Sequence, residues 1–388
     1  MSRARRDVAF YRPDIGEDEI AAVVETMRSG WLTIGPRTQE FEGAFAQATG
    51  AVHAVAVSSG TAALHLALDA LDLRSGDEVI TSTLTFTATG ASVVHAGGRL
   101  VLADVTPDTL NLDPADVARK ITPRTRAIVP VHFAGHPAAM DELGAMARQH
   151  GLTVIEDAAH ALPAAYRGRA VGTIGDMTAF SFYATKNLTT GEGGMLTLAD
   201  AALAERLQSQ RLHGMSRNAW RRYSREGSWR YDVARVGFKY NMTDVAAAMG
   251  LVQLRRLPAL HRRRCEIAAL YTELLSDVPE VDLPATRPEV AHAWHLYVVR
   301  VRPERLRVHR DAIIEELRAA GVGTGVHFIP LHRLSYYAKT CGREAGDLPV
   351  ASAAAETIIS LPVYTLLADD DVRYVAMTLR DILRANRR

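Results

Sequence analysis

Between residues 51 and 198, short apolar runs alternate with segments of helical character, and this alternation limits the folds open to the chain. The helical segments are 61–71, 87–96 and 140–150, and the strand-like runs are 51–57, 78–81, 99–105, 127–132, 153–156, 178–183 and 195–198. Strands that are apolar throughout and separated by helices are typical of a mostly parallel sheet covered on both faces. We therefore predict an α/β fold with its ligand site at the carboxyl ends of the strands.

The pattern changes after about residue 245, where the chain becomes mainly helical. Helical segments at 245–257 and 260–275 precede a strand at 294–301, a helix at 310–320, a strand at 325–329 and helices at 351–359 and 369–385. No long linker rich in Pro, Gly or Ser interrupts the sequence. We predict two packed domains, a large one over residues 1–255 and a smaller α+β one over residues 256–388.

Charge and cysteine content exclude several classes of protein. The chain has 45 Lys and Arg against 44 Asp and Glu, so it lacks the basic excess that nucleic acids and membrane surfaces attract. Its two cysteines, Cys265 and Cys341, form no CxxC motif. Acidic residues follow Arg6 where a signal peptide needs its apolar core, and no apolar run approaches the roughly 20 residues of a membrane span. We expect a cytoplasmic protein that acts on small molecules, without a metal, a nucleic acid or a membrane.

Three strand ends carry side chains suited to chemistry. Ser58-Ser59-Gly60-Thr61 joins a predicted strand to a helix, where N–H groups and the helix dipole can bind phosphate. Asp157 follows the strand at 153–156, and Lys186 follows the apolar run Phe180-Ser181-Phe182-Tyr183. Apolar surroundings lower the pKa of a lysine toward that of a nucleophilic amine that forms Schiff bases. Each feature alone is also explained as a helix cap, an ion pair or a lysine at a strand end.

The three features together match the needs of pyridoxal 5′-phosphate. This cofactor needs an anion site for its phosphate, a carboxylate for its pyridine nitrogen and an amine for its aldehyde. Asp157 would keep the ring nitrogen protonated, and Phe86 could stack on the ring. The motifs GxxxxGK[ST], HExxH, GxSxG and GxGxxG are all missing from the sequence, which excludes several other common sites.

Motifs along nearly the whole chain resemble those of the DegT/DnrJ/EryC1/StrS family of pyridoxal-phosphate sugar aminotransferases. They are SGWLTIGP at 29–36, SSGTAAL at 58–64, KNLTTGEGG at 186–194, GTGVHF at 323–328 and SLP at 360–362. The resemblance implies fold type I, the aspartate-aminotransferase-like fold, with a mostly parallel seven-stranded sheet and a smaller C-terminal domain. Segments 186–194 and 323–328 look most like enzymes of the UDP-4-amino-4-deoxy-L-arabinose type, which aminate C4 of a nucleotide-linked 4-keto sugar.

The resemblance also implies a role for individual residues. Lys186 would bind the cofactor aldehyde as a Schiff base and then carry a proton, so it is the predicted catalytic residue. His160 would lie beside the cofactor, near its ring hydroxyl. Phosphate contacts are expected from Gly60, Thr61 and Ser181. The full predicted cofactor site consists of Gly60, Thr61, Phe86, Asp157, His160, Ser181, Lys186 and Asn241.

The segment Gly237-Phe238-Lys239-Tyr240-Asn241 resembles a family segment that reaches the cofactor phosphate of the neighbouring subunit. The resemblance therefore implies a homodimer with its active sites at the subunit interface. Either Asn241 or Lys239 makes that contact. We favour Asn241, with Lys239 nearer the sugar diphosphate. Thr33 and His327 match positions on the substrate side.

The resemblance predicts a ping-pong aminotransferase that moves an amino group from L-glutamate to C4 of a UDP- or dTDP-linked 4-keto sugar, a pentose or a 6-deoxyhexose. Two alternatives stay open, namely amination at C3 of a 3-keto-6-deoxy sugar and a non-catalytic regulator that binds the cofactor. A related dehydratase branch has a histidine in place of the lysine, and Lys186 argues against it.

Overall fold

The computed structural model describes residues 6–215, 231–341 and 348–388. Its first part alternates helices and strands in the order α1 (Glu17–Ser29), α2 (Pro36–Thr49), β1 (His53–Val57), α3 (Gly60–Asp69), β2 (Glu78–Ser82), α4 (Thr87–His95), β3 (Arg99–Ala103), α5 (Pro114–Lys120), β4 (Thr125–Val129), α6 (Met140–His150), β5 (Thr153–Asp157), β6 (Ala165–Tyr166), β7 (Arg169–Ala170), β8 (Met177–Ser181), β9 (Gly194–Leu198) and α7 (Ala201–Gln210).

Seven of these strands form one sheet in the order β1-β9-β8-β5-β4-β2-β3. All neighbouring pairs are parallel except those of β9, which runs antiparallel to both β1 and β8. The prediction of a mostly parallel seven-stranded sheet is confirmed. Because only β9 is reversed, the carboxyl ends of the other six strands meet at one edge.

Both faces of the sheet are covered, as continuously apolar strands require. On β1, Val55 and Val57 pack with α3 and α7, whereas Ala54 and Ala56 pack on the opposite face with Phe41 and Phe45 of α2. Farther along the sheet, α5 and α6 cover that second face. Because side chains alternate between the two faces of the sheet, neighbouring residues of one strand pack in different hydrophobic cores.

The second part of the chain contains α8 (Asp244–Leu275), β10 (Val281–Asp282), β11 (Val290–Ala291), β12 (Tyr297–Val301), α9 (Arg310–Ala319), α10 (Ser335–Cys341), α11 (Pro349–Ala355), β13 (Ile358–Leu361) and α12 (Asp369–Ala385). A three-stranded sheet, β10-β12-β13, shares a separate core with α9, α12 and the C-terminal half of α8. A second small sheet has the order β11-β6-β7. This architecture confirms the predicted α+β character of the C-terminal part.

The prediction of two helices at 245–257 and 260–275 is wrong. A single helix, α8, runs through Pro258. Buried residues on both sides of the proline, including Leu254 and Leu260, hold the helix together through packing that sequence propensity does not contain. The predicted domain division at residue 255 falls inside this helix and stays a prediction.

Two other predicted elements near the C-terminus are also wrong. The segment 325–329 is not a strand, since only Gly325 pairs, through a bridge to Ser360, before the chain turns away toward the carboxyl edge of the large sheet. The helix predicted at 351–359 ends at Ala355, and β13 follows. The β-branched pair Ile358 and Ile359 is buried against β12 and α9, so packing favours a strand over further helix.

Within the described residues, no helix combines the length and apolarity that crossing a membrane would need.

Candidate active site

A cavity of about 410 Å³ opens at the carboxyl edge of the large sheet. Strands β1, β2, β4, β5 and β8 all end beside it, as the rule for parallel sheets predicts. Its walls are formed by Ser59, Gly60, Thr61, Leu64, Thr85, Phe86, Ala88, Val131, Asp157, Ala159, His160, Ser181, Tyr183, Thr185, Lys186, Glu192, His295, His327 and Phe328.

The start of α3 forms one end of the cavity. Ser59 caps this helix by accepting a hydrogen bond from the Ala62 amide at 3.0 Å. Gly60 is needed for close packing, because a Cβ atom there would lie 2.7 Å from Cβ of Ser181 at the end of β8. A Cβ on Gly194 would lie 2.5 Å from the carbonyl oxygen of Ser59. Two glycines therefore allow the helix N-terminus and its dipole to reach the cavity.

Asp157 is a buried carboxylate at the end of β5. Thr89 Oγ1 donates to its Oδ2 at 2.7 Å, and the amide of Ala159 donates to its Oδ1 at 3.1 Å. The Thr89 hydroxyl also pairs with the hydroxyl of Thr85 at 2.8 Å. Both oxygens are oriented by neutral donors, so the carboxylate can still receive a cationic partner from the cavity.

Lys186 lies in the turn that follows β8, with its amide donating to the carbonyl of Tyr183 at 2.9 Å. Burial lowers the pKa of Lys186 to about 8, although the Asp157 carboxylate acts in the opposite direction. A primary amine with this pKa has a substantial uncharged fraction near neutral pH, which nucleophilic attack on a carbonyl requires.

Three histidines with lowered pKa, His160, His295 and His327, share the cavity with Lys186. The pKa of His160 lies well below its ordinary value because of burial, the nearby Lys186 and His327. Burial and Lys186 lower the pKa of His327 to about 4. The buried Nδ1 of His160 has no hydrogen-bond partner among the described residues. These imidazoles are therefore neutral at physiological pH, and His160 has an unused polar atom.

Aromatic rings form the outer wall. Phe86 is 58% exposed, and its ring centroid lies 6.0 Å from that of Phe328. The Phe328 ring also stacks on His160, with a centroid distance of 5.7 Å and an interplanar angle of 22°. The exposed face of Phe86 is free to cover a flat ligand.

Most of the residues predicted from the sequence meet in this cavity, namely Gly60, Thr61, Phe86, Asp157, His160, Ser181, Lys186 and His327. Thr33, Lys239 and Asn241 form a separate group. The Asn241 amide donates to Thr33 Oγ1 at 3.4 Å, and Lys239 Nζ donates to Asn241 Oδ1. This group does not line the cavity of its own chain.

The sequence did not indicate several residues of the site. Thr85 and Thr89, which orient Asp157, follow β2 and have no distinctive motif. His295 lies more than 100 residues beyond Lys186, and only the fold brings the two together. Tyr183, Glu192 and Phe328 occur inside motifs that were recognised, so their proximity to a cavity could have been inferred from the motifs.

The cavity has the features that pyridoxal 5′-phosphate requires. The close contact between Gly60 and Ser181 leaves a helix N-terminus open to an anion, and Asp157 is available to a protonated ring nitrogen. Lys186 supplies an amine with a lowered pKa. The Nδ1 of His160, which has no partner among the described residues, can form a hydrogen bond with a polar group of a ligand. In the described part of the chain, no three His, Cys, Asp or Glu side chains are grouped so as to hold a metal ion.

Comparisons with known proteins agree with this assignment. The family model described as the DegT/DnrJ/EryC1/StrS aminotransferase family matches residues 13–380. The chain is 49% identical over 373 residues to the spore coat polysaccharide biosynthesis protein SpsC of Bacillus subtilis, covering 96% of each. It is 48% identical over 377 residues to an uncharacterised protein of Methanocaldococcus jannaschii, covering 97% of this chain and 98% of that one.

Solved structures show the same similarity. Spr1654 of Streptococcus pneumoniae, which is named as a sugar aminotransferase, superposes with a TM-score of 0.91 in its PMP form, at 35% identity and with 98% of each chain covered. Its PLP form gives a TM-score of 0.90, at the same identity and with 98% of this chain and 99% of that one covered.

Proposed function

Because the chain belongs to the DegT/DnrJ/EryC1/StrS aminotransferase family, we propose that it transfers an amino group from L-glutamate to C4 of a nucleotide-linked 4-keto sugar. The carrier is UDP or dTDP, and the sugar is a pentose or a 6-deoxyhexose. The observation that carries the proposal is the position of Lys186, whose amine shares one cavity with Asp157 and the N-terminus of α3. The cofactor is pyridoxal 5′-phosphate, in keeping with the PLP and PMP forms of Spr1654.

Each part of the cavity has a task in binding that cofactor. Gly60, Thr61 and Ser181, which line the cavity at the N-terminus of α3, would hold the phosphate. Asp157, already oriented by Thr89, would hold the pyridine nitrogen in its protonated state. When bound, the cofactor supplies an electron sink for the carbon that loses a proton, and it carries the amino group between the two half-reactions.

Lys186 would bind the cofactor aldehyde and would also move protons at Nζ. With a pKa of about 8, roughly one tenth of this side chain is uncharged at pH 7, far more than for an exposed lysine. The same amine can therefore accept a proton from one carbon and return it to another without a large free-energy cost. Its neighbours His160 and His327 stay neutral and do not compete for that proton.

The sugar nucleotide approaches from the open side of the cavity, where Phe86 is exposed and His327 lines the wall. Thr33, Lys239 and Asn241 lie together but outside the cavity of their own chain. In a homodimer this group would complete the site of the partner subunit, with Asn241 at the cofactor phosphate and Lys239 near the sugar diphosphate. The cationic Lys239 suits the negative charge of a diphosphate.

The visible absorbance of the loaded protein tests this function in two steps. Addition of L-glutamate should bleach the band of the lysine-bound cofactor, and one member of a panel of nucleotide 4-keto sugars should then restore it. Restoration by 3-keto sugars alone would reassign the reaction to C3. A band that never changes with any amino donor would leave only a regulator that binds the cofactor.

One lysine variant tests the role of Lys186, and a second is its control. Lys186→Ala should lose both the visible band and amino transfer while keeping its fold. Lys339→Ala, at an exposed position on α10, should behave as the unmodified protein does. Multiple turnovers by Lys186→Ala would contradict the proposal.

A further inference from the structure

The imidazole of His327 is held in place by residues behind the cavity wall. The ring of Phe10 stacks on it, with a centroid distance of 5.6 Å and an interplanar angle of 21°. Nδ1 of His327 lies 2.8 Å from Oγ of Ser360 on β13. A Cβ atom on Gly325 would lie 2.9 Å from Cε1 of His327 and 3.3 Å from Cζ of Phe10, so only glycine leaves room for both rings. None of these three neighbours lines the cavity, and the ring orientation is therefore set from outside it.

The backbone around this contact is paired as well. The amide of Gly325 donates to the carbonyl of Ser360 at 3.1 Å, and the amide of Ser360 donates to the carbonyl of Gly325 at 2.8 Å. The amide of Gly323 donates to the carbonyl of Val8 at 2.8 Å, which ties the segment before Phe10 to the same region. The serine hydroxyl and the imidazole thus keep a fixed relation to each other.

Burial determines the direction of the hydrogen bond between Ser360 and His327. A serine hydroxyl has one hydrogen to donate, and Oγ of Ser360 has no other hydrogen-bond partner among the described residues. Ser360 is 0% exposed. If the hydroxyl accepted from the ring, its own hydrogen would be buried without an acceptor, which is costly. Ser360 therefore donates, and Nδ1 of His327 accepts.

This direction leaves the ring hydrogen of His327 on Nε2. Burial and Lys186 lower the pKa of His327 to about 4, so the ring is neutral near pH 7 and carries a single N–H. Nε2 has no hydrogen-bond partner among the described residues, yet it is not one of their fully buried unpartnered atoms, as Nδ1 of His160 is. Because His327 lines the cavity, its Nε2–H is open to a ligand there.

We propose that Ser360 is a positioning residue of the active site, which fixes His327 as a neutral N–H donor to an oxygen atom of a substrate. The proposal rests on the proposed function, in which L-glutamate and a nucleotide-linked keto sugar enter this cavity in turn. Both contain oxygens that only accept hydrogen bonds, namely the carboxylates of glutamate and the phosphate and keto oxygens of the sugar nucleotide. A neutral donor binds such an oxygen less tightly than a cation does, which suits a site that each substrate must leave before the other enters.

Ser360→Ala removes the hydrogen bond to Nδ1, and Ser352→Ala is its matched control. Ser352 Oγ makes the same kind of contact, at 3.0 Å from Nε2 of His332, and neither of these two residues lines the cavity. Single-turnover absorbance changes of the loaded protein give an apparent Kd for each substrate separately. We expect Ser360→Ala to raise the apparent Kd of at least one substrate about 5- to 10-fold and Ser352→Ala to change neither.

The substrate affected identifies the oxygen that His327 binds. A rise for L-glutamate alone points to a carboxylate, a rise for the keto sugar alone to a phosphate or keto oxygen, and a rise for both to a contact used in each half-reaction. No change for either substrate, or equal changes in Ser360→Ala and Ser352→Ala, would overturn the proposal.

A second pair of variants separates a donor from an acceptor at the same place. His327→Gln brings an amide N–H to the position of Nε2, whereas the carboxylate of His327→Glu has the same length and only accepts. For the substrate identified above, we expect His327→Glu to raise the apparent Kd at least ten times more than His327→Gln does. Equal effects of the two substitutions would show that His327 does not act as a donor.

A measurement on the unsubstituted, cofactor-free protein covers the case in which a variant fails to fold. ¹⁵N NMR of histidine-labelled protein, with His327 identified by its contact with the Phe10 ring, should show hydrogen on Nε2 and a hydrogen-bonded, unprotonated Nδ1 near neutral pH. Hydrogen on Nδ1 would refute the role of Ser360. Failure of the proposed function is read separately, because the loaded wild-type protein would then show no absorbance change with L-glutamate, whatever the NMR spectrum shows.

Discussion

Lys186 and three histidines, His160, His295 and His327, place basic groups in the wall of one cavity. Among the residues that the structure describes, no carboxylate forms a salt bridge with any of the four, and Asp157 affects the pKa of Lys186 without pairing with it. Burying a cation in this way costs free energy that a structural residue would avoid. The cost is typical of a functional site, where stability is reduced to keep an amine reactive.

Lys186→Met should therefore stabilise the cofactor-free protein, by about 1–3 kcal/mol at pH 7. The pKa of Lys186 in the folded state, about 8, lies below the 10.5 of an exposed lysine. Between these values the unfolded chain binds more protons, so the stability of the wild-type protein rises with pH. Urea denaturation at fixed protein concentration should show the advantage of the variant shrinking between pH 8 and about 10.5. An advantage that does not depend on pH would contradict this assignment of charge.

Gly60→Ala tests the packing at the phosphate end of the cavity. The new Cβ would lie 2.7 Å from Cβ of Ser181, so either α3 or β8 must shift. We expect a loss of about 1–3 kcal/mol in stability and weaker binding of pyridoxal 5′-phosphate, measured by urea denaturation and by cofactor titration.

Gly43→Ala is the matched control for that substitution. Gly43 lies on the exposed side of α2 with no atom within 4 Å of the added Cβ, so the same change should stabilise the protein by about 0.5–1 kcal/mol. Equal effects at the two positions would show that the contact with Ser181 does not constrain the site.

At this scale, the sequence predicted the residues that lie at strand ends. Lys186, Asp157 and Gly60 are adjacent to strands with a continuous apolar pattern, so their convergence at one edge followed from the parallel sheet. His295 and Thr89 could not be predicted in this way. Their hydrogen bonds, to Asn187 and Asp157, join segments that are 108 and 68 residues apart and share no local pattern.

At the scale of secondary-structure elements, a buried pair connects the middle strands of the sheet. His132, after β4, accepts a hydrogen bond from the Ala138 amide at Nδ1, so its Nε2 carries hydrogen and donates to Glu156 of β5 at 2.8 Å. The other oxygen of Glu156 accepts from the Gly175 amide and from Thr178 of β8. All three partners are donors, which only a carboxylate can satisfy completely.

Glu156→Gln should for this reason destabilise the fold by about 2–4 kcal/mol, because its NH₂ group must face one of those donors. Although burial raises it, hydrogen bonds from His132, Gly175 and Thr178 hold the pKa of Glu156 below its ordinary value. The stabilisation is present above the ordinary pKa of a glutamate and is lost as the pH falls through the lowered one.

Urea denaturation of both proteins at pH 7 and in the acid range checks the prediction. The difference between them should shrink at acid pH. Glu315→Gln, at an exposed ion pair with Arg318, is the control and should change stability by less than about 0.5 kcal/mol. If Glu156→Gln matched this control, the network would not be contributing to stability.

Helices and strands could be predicted from the sequence where its hydrophobic periodicity agrees with the burial found in the structure. The seven strands of the large sheet were found because they are apolar on both faces. Pro258 misled the prediction for α8, since an interior proline costs about 3 kcal/mol unless packing compensates for it. In α8, buried contacts with α1, α2 and α12 provide that compensation, and they involve segments far apart in the sequence. A local pattern cannot contain them.

At the scale of the whole molecule, the group of Thr33, Lys239 and Asn241 lies together but outside the cavity of its own chain. The backbone of Thr33 is held by Asp244 at the start of α8, whose amide donates to the Thr33 carbonyl at 3.2 Å. Asp244 also caps α2 by accepting from the amides of Arg37 and Thr38. Asp244 thus ties Thr33 to the starts of α2 and α8, whereas Asn241 is buried beside it and Lys239 is exposed.

Mixing two inactive variants tests whether the site is shared between subunits. Lys186→Ala and Asn241→Ala should each lose most activity as separate homodimers. In a shared site, a mixed dimer regains one intact site from the unsubstituted residues of each chain. An equimolar mixture that exchanges subunits should then recover about a quarter of wild-type activity, measured as glutamate-dependent amination. No recovery, despite subunit exchange verified by mass spectrometry, would place Asn241 in the site of its own chain.

The strand order of the large sheet also has a consequence for synthesis of the chain on the ribosome. Among the described residues, β1 pairs along its length with β9, which is completed about 140 residues later, and its last residue, Val57, also bridges Asn241. At about 5–20 residues per second, β1 waits on the order of ten seconds for its neighbour. The N–H and C=O groups along the edge of β1 are unpaired during that interval, and such edges favour aggregation. Because the loop with Lys186 immediately precedes β9, closing this edge and bringing Lys186 into the cavity with Gly60 are the same late event, so a nascent chain lacks this cavity until β9 joins the sheet.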